Sequence, residues 1–376
     1  VIEQRAEAIW YGQTLGAQVA RAALAPFSTV FSAAVRARSW LYDVGWMEKL
    51  QAPLPIISVG NLRVGGTGKT PTVLWLVDHL RALGVKPVVG MRGYGAARAA
   101  VPTWLEPGGP ACHDRAGAVG ERGFRFVSLE GMPRDPGLSD EALLVALRSG
   151  AAVVCTPDRL AAARVANAVG ADVLILDDGF QHRRLHRDLD IVLTSGSESV
   201  ERVLPAGPLR EPWRALGRAH VVMAPDAIAV PAGSLVVSAS VQPVGWVDRV
   251  AASAPVAALD AWRGREGVAV AGIARPERFF EMLERCGIRV RERRRFGDHH
   301  RYTREEWADI CGSARTGQWV VTTEKDLVKL RGLAGADPRL AALRVEMTVE
   351  SESDVMRLVR AVVPRLDAPQ AGPHDR

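Results

Sequence analysis

The sequence predicts an α/β protein: a mostly parallel sheet with helices on both faces, a helical leader before it and a second, smaller α/β unit after it. Three observations carry that expectation. From about residue 51 to 215, short apolar runs alternate with segments of helical periodicity. Polar residues of chemical interest stand directly after several of those runs, where open parallel sheets gather their ligands. One run, Ile56-Ile57-Ser58-Val59, leads through a glycine-rich turn into an amphipathic helix.

The leader, residues 1–50, holds a short apolar stretch at 22–35, flanked by Arg21 on one side and Arg36 and Arg38 on the other. Trp10, Tyr11, Trp40, Tyr42 and Trp46 lie in the same region. The stretch is shorter than the roughly 20 residues a spanning helix needs. Cationic and aromatic anchors suit a helix at a membrane interface, and packing on the protein's own core suits the pattern equally. The opening residues do not read as a secretory signal.

Next comes a strand at Pro55–Val59, then a helix over 71–83 with Val73, Leu76, Val77, Leu80 and Leu83 on one face. Val85–Val89 reads as a strand. Residues 96–137 are rich in Gly and Pro and read as an excursion beside the site, with a strand candidate at Phe124–Leu129. A helix at Asp140–Leu147, a strand at Ala152–Cys155, a helix at Arg159–Val169 and strands at Val173–Leu176 and Leu189–Leu193 complete a core over 51–215. Residues 205–218 read as an ordered loop. The smaller unit, 216–350, contains short strands, then Gly267–Ala271, helices at Pro276–Cys286 and Thr303–Cys311, and a strand at Gln318–Val321. A final helix at 352–363 and a frayed tail occupy 351–376.

Composition narrows the class. The formal net charge of +6 suits an anionic partner such as a nucleotide or a phospholipid surface. Four cysteines, Cys112, Cys155, Cys286 and Cys311, lack close pair spacing, so the sequence carries neither a zinc signature nor a disulfide framework, and a reducing compartment fits. The basic run Arg289–Arg295 has no recognition motif or interleaved aromatics, which argues against nucleic acid. Solvated surface is its commoner reading; phosphates or lipid headgroups are the other. No obligate protein partner is evident.

The chemistry concentrates in a few places. Gly65-Gly66-Thr67-Gly68-Lys69-Thr70 follows a strand and opens a helix. Glycines let successive amides turn toward an anion, and the helix N-terminus adds unpaired amides and a favourable dipole. Lys69 can meet the β- and γ-phosphates of ATP and Thr70 can reach Mg²⁺. Arg63 occupies a position where the strict phosphate-loop pattern has glycine. Asp177-Asp178 ends an apolar strand, as turn formers or as carboxylates serving Mg²⁺. Asp140-Glu141 starts a helix, either as capping chemistry or as a carboxylate beside a transferred phosphate. Arg92 follows a strand and is a candidate phosphate contact. Asp298-His299-His300 could assist proton transfer, since an acid fixes an imidazole's tautomer and raises its basicity. Thr323-Glu324-Lys325-Asp326 superficially resembles a guanine-reading motif, but Lys325 and Asp326 adjoin where that motif separates them.

Taken in order, seven blocks resemble the tetraacyldisaccharide 4'-kinase (lipid A 4'-kinase) family across nearly the whole chain. They are Val59-Gly60-Asn61 through Gly65–Pro71, Arg92-Gly93-Tyr94-Gly95, Asp140-Glu141, Asp177-Asp178-Gly179-Phe180-Gln181-His182 with Arg187-Asp188, Leu204–Pro212, Phe296–His300 and Thr323–Asp326. The chain departs from the family pattern at Met91, Ser139, Ala142 and Phe180. The resemblance implies a phosphate-loop NTPase-like fold and a bacterial enzyme on the cytoplasmic face of the inner membrane. It implies transfer of the ATP γ-phosphate to the 4'-hydroxyl of an acylated glucosamine disaccharide 1-phosphate, with lipid IVA as product. It also implies that the leader engages the anionic membrane surface. Carried onto this sequence, Asp140 activates or orients the hydroxyl and His299 pairs with it when the two units close. Lys69 and Arg92 hold phosphates, Thr70 with Asp177 or Asp178 serves Mg²⁺, and Gln181 and His182 lie near the reacting groups. Glu141 and Asp298 join them as supporting groups. Two alternatives stand beside this reading: a phosphate-loop kinase for another hydroxyl acceptor, and a non-enzymatic ATP-dependent membrane adaptor.

Overall fold

The leader folds into two helices, α1 (Ile2–Tyr11) and α2 (Leu15–Asp43). Thr14 caps the second, its hydroxyl oxygen accepting from the Ala17 amide at 3.2 Å. The core-packing expectation for this region holds on one face of α2, and the other face is exposed. Ala17, Ser28 and Tyr42 are buried, and Ser28 Oγ donates to the Val203 carbonyl at 2.9 Å. Leu15, Val19, Phe27 and Val30 lie on the other face and are exposed. The apolar stretch foreseen at 22–35 is the middle of this longer helix, with Pro26 inside it. Among the described residues, no helix is long and apolar enough to cross a membrane.

The structure, a computed structural model, describes residues 2–93, 102–106, 125–128 and 139–366, apart from 232, 315, 316 and 336. After the leader come β1 (Ile56–Asn61), α3 (Lys69–Ala82), β2 (Pro87–Met91), β3 (Thr103–Glu106), β4 (Arg125–Ser128), α4 (Asp140–Ser149), β5 (Ala152–Cys155), α5 (Arg159–Ala168), β6 (Val173–Asp177) and β7 (Leu189–Leu193). Then follow β8 (Val221–Ala224), β9 (Leu235–Val247), β10 (Glu266–Ala271), α6 (Pro276–Arg285), β11 (Arg289–Arg295), α7 (Arg304–Ser313), β12 (Trp319–Thr323), α8 (Glu324–Ala334), β13 (Leu340–Val349) and α9 (Glu352–Val362). The strand foreseen at 124–129 is β4; the rest of the 96–137 excursion lies outside the described residues except for β3 and residue 102. The tail from 367 lies outside them too.

The strands form one sheet in the order β11-β10-β12-β13-β9-β8-β7-β1-β6-β2-β5-β3-β4. Its described ladders are parallel except β13–β9 and β3–β5. The two α/β units expected from the sequence are therefore continuous through β9. This strand pairs parallel with β8 over Leu235–Ser238, then antiparallel with β13 over Ala239–Val247. At 13 residues it is long enough to serve the two partners in succession.

Parallel strands covered on both sides read as unbroken apolar runs, and β1, β2, β6 and β7 are buried along their whole length. Ile57 and Val59 face a core shared with α3 and α4, while Ile56 faces one shared with α5. The final helix does not stand apart. Val355, Val359 and Val363 enter the core of the first unit beside Val59 and Val73. The basic run is the edge strand β11, with Arg289, Arg291, Arg293 and Arg295 exposed and acidic partners at Glu266, Glu277 and Glu284. That agrees with the solvated reading, and a charged edge discourages pairing with another sheet.

Candidate active site

β1 ends at the centre of the parallel region, between β6 and β7. The chain leaves it through Arg63–Thr67 and enters α3 at Gly68, whose φ of +89° lies in the left-handed region that glycine adopts without strain. Asn61 organises the turn from within. Its Nδ2 donates to Thr67 Oγ1 at 2.7 Å, and its Oδ1 accepts from Lys69 Nζ at 3.3 Å. Gly60 permits the neighbouring turn after β6 to approach. A Cβ there would stand 2.6 Å from Phe180 Cβ.

That second turn carries the two acids, and their environments differ. Asp178 has a left-handed φ of 58° and is gripped by cations. Arg210 donates to both of its oxygens at 2.8 Å, and Lys69 Nζ lies 3.3 Å away. Arg210's bidentate hydrogen bonds and the two positive charges hold the Asp178 carboxyl far below the usual range despite its burial. Asp177 is buried, and its Oδ1 has no hydrogen-bond partner. Burial, reinforced by the charges of Glu141 and Asp178, pushes its pKa up to about 7. A buried acid with an unengaged oxygen beside a phosphate loop and Thr70 fits a divalent cation. Asp178 is already neutralised.

The opposite wall comes from distant segments. Asp140 begins α4 and is buried; its Oδ1 shares a hydrogen bond with His299 Nδ1 at 2.8 Å. The His299 backbone takes a left-handed φ of 59°, stabilised by its amide donating to Asp298 Oδ1 at 3.0 Å. Lys325 Nζ bridges Asp298 Oδ1 at 2.9 Å and Glu141 Oε1 at 3.1 Å, with Asp140 Oδ2 3.9 Å away. Lys329 Nζ lies 3.5 Å from the same Asp140 oxygen. Although burial opposes it, the His299 hydrogen bond together with these cations depresses the Asp140 pKa strongly. His299 moves upward, chiefly through its hydrogen bond to Asp140.

A cleft of about 480 Å³ lies between the walls. Gly65, Gly66, Thr67, Gly68, Lys69, Thr70, Arg92, Glu141, Asp177, Asp178, Asp298 and His299 line it, so most of the sequence-predicted site converges. Asp140 stands behind His299. Gln181 and His182 are not among the lining residues: Gln181 Nε2 donates to the Asn61 carbonyl at 2.8 Å, bracing the strand end. His182 is half-buried, its pKa lowered by burial and by nearby arginines. His300 pairs with Glu306 instead of entering the cleft, and no metal-holding cluster of His, Cys, Asp and Glu occurs among the described residues.

Sequence reasoning missed Asn61, Arg210, Lys325 and Lys329. The first three stood inside blocks already singled out, but nothing local told which side chain would turn inward. Thr323-Glu324-Lys325-Asp326 is no base reader in this fold. Thr323 caps α8, Glu324 pairs with Arg344 at 2.8 Å, and Asp326 accepts from the Gly272 amide at 2.9 Å.

A glycine-rich cradle at the carboxyl end of a parallel sheet, faced by an acid–histidine pair, is the architecture of a phosphate-loop phosphotransferase. The comparisons with known proteins agree. The pattern of the tetraacyldisaccharide-1-P 4'-kinase family, LpxK, matches residues 20–364, and the chain belongs to that family. It is 39% identical over 348 residues to the tetraacyldisaccharide 4'-kinase of Halorhodospira halophila, covering 92% of this chain and 94% of the relative. The enzyme of the same description from Anaeromyxobacter dehalogenans is 38% identical, with 93% of each chain covered. The crystal structure of LpxK from Aquifex aeolicus in complex with ATP superposes with a TM-score of 0.72 at 28% identity, covering 91% of this chain and 99% of that one.

Proposed function

We propose that this cleft transfers the γ-phosphate of ATP to the 4'-hydroxyl of tetraacyldisaccharide 1-phosphate, giving ADP and lipid IVA. The observation that carries the site reading is the 2.8 Å contact between His299 and Asp140 in a cleft shared with the phosphate loop. The loop amides and Lys69 hold the β- and γ-phosphates, and Arg92 adds a positive charge beside them. Thr70 and Asp177 hold Mg²⁺, which when bound neutralises charge on those phosphates. Asp178, committed to Arg210 and Lys69, fixes the lysine.

Asp140 is the orienting acid. It holds His299 through Nδ1 and leaves Nε2 to accept the proton of the 4'-hydroxyl as its oxygen attacks the γ-phosphorus. The bond to the β–γ bridging oxygen breaks and ADP leaves. Glu141 and Asp298 keep the pair in place, and closure of the phosphate-binding unit (51–215) against the smaller one (216–350) excludes water that would otherwise take the phosphate. The apolar outer face of α2 lies in the membrane interface on the cytoplasmic face of the inner membrane, so that the acyl chains stay in lipid while the sugar reaches the cleft.

Transfer from γ-labelled ATP to detergent-dispersed tetraacyldisaccharide 1-phosphate tests the reading. A labelled product with a new 4'-phosphate is the expected result. Folded protein that binds ATP and transfers nothing would overturn it in favour of the adaptor. Label appearing on an unacylated acceptor would point to a different kinase.

A further inference from the structure

Five acids crowd the cleft and its wall: Asp140 and Glu141 on α4, Asp177 at the end of β6, Asp178 after it and Asp298 before His299. Like charges at such spacing disfavour their joint ionisation unless cations stand among them. The cation at the centre of three of them comes from α8. Lys325 Nζ touches Asp298 at 2.9 Å and Glu141 at 3.1 Å and lies 3.9 Å from Asp140.

We propose that Lys325 is a positioning residue for the transfer: by bridging Asp298 and Glu141 it fixes the turn that presents His299 to Asp140. The inference rests on the reading of the cleft given above. Its first support is the stiffness of the lysine's root. The residues around it in the motif are anchored: Thr323 caps the helix, Glu324 is buried against Arg344 and Arg148, and Asp326 accepts from Gly272 N and the Tyr302 hydroxyl. Its second support is the chain of contacts leading outward. Asp298 Oδ1 accepts from Lys325 Nζ and from the His299 amide. The latter bond stabilises a left-handed backbone at a residue with a Cβ, a conformation that persists only where its surroundings enforce it. Without the ammonium, Asp298 loses its cation, the turn relaxes and the imidazole drifts from Asp140. Lys329 does not replace it, because its closest partner is Asp326 at 2.9 Å on its own helix.

Steady-state kinetics of the chain in detergent, with ATP varied, tests this with Lys325→Met, Lys325→Arg and Asp140→Asn. A hydrogen-bonded ion-pair contact of this kind predicts a kcat for Lys325→Met about 10–100-fold lower. The KM for ATP stays within about twofold, because the effect is one of orientation. Arginine, which keeps the charge, restores much of the loss. An unchanged kcat would overturn the proposal. So would a loss confined to the KM for ATP, which would make Lys325 a phosphate ligand, or a loss that arginine leaves uncorrected in a variant with a lowered unfolding midpoint, which would make it structural. Asp140→Asn separates the two levels. If it retains full turnover, the reading of the cleft itself fails. If it loses turnover while Lys325→Met does not, only this inference fails.

Discussion

The two walls of the cleft are built in opposite ways. The phosphate wall comes chiefly from residues close together in sequence, Asn61 through Thr70, and much of its function lies in backbone amides. The acid wall joins α4, the turn at Asp298-His299 and the start of α8, with 159 positions separating Asp140 from His299. A cradle of amides needs only a turn and glycines, so one continuous segment can encode it. A proton-accepting pair needs two side chains held 2.8 Å apart with one of them stripped of water, and only packing between distant elements supplies that.

The comparison predicts different failures. The largest effect is expected at the acid wall: Asp140→Asn lowers kcat by about 10²–10⁴-fold while ATP binding, followed by fluorescent-nucleotide titration, survives. Loss of nucleotide binding would show that the walls are not separable. Lys69→Met in the phosphate wall costs about 10²–10³-fold. Here the KM for ATP rises as well, and an unchanged KM would break the proposed assignment of Lys69 to the phosphates.

A smaller effect reads the electrostatics directly. As the proposed base, His299 must be unprotonated to accept the hydroxyl proton, and its hydrogen bond to Asp140, aided by the charge of Asp298, raises its pKa. Activity therefore appears as pH rises through a value above the ordinary histidine figure of about 6.5. Asp298→Asn removes an anion that favours imidazolium and leaves Lys325 nearer to an uncompensated charge. Both changes shift the acid limb of the pH–kcat profile downward. A limb that moves upward would contradict the assignment of the base. The smallest effect on the chemistry belongs to neither wall. Phe27→Ser with Val30→Ser, on the exposed face of α2, reduces sedimentation with anionic vesicles and leaves nucleotide binding unchanged; undiminished sedimentation would remove α2 from the interface.

Much of this was legible in the sequence. The strand at 152–155 and that at 189–193 fall where their apolar runs predict, and the helix foreseen over 71–83 begins two residues early because Gly68 starts it. The pair Asp177-Asp178 was visible as a unit, yet identical side chains on adjacent residues acquire opposite electrostatics. Arg210 reaches only one of them, and burial controls the other. Arg210 and Lys325 escaped notice because an arginine in a loop or a lysine on a helix reads as surface until the partner it faces is known. The continuity of the sheet through β9 and the return of α9 to the first core also depend on long-range pairing that no local period reports.

The sequence by itself determined the α/β class, the glycine-rich turn and the candidates for the reactive side chains. Those properties depend on local periodicity, glycine's conformational freedom and the chemistry of each residue. Only the tertiary structure decided which of two adjacent acids keeps a buried oxygen without a partner, how closely His299 meets Asp140 and which lysine stands among the carboxylates. Those outcomes depend on burial and on distances of a few ångströms between segments far apart in the chain, and electrostatic interaction inside a protein is set by both.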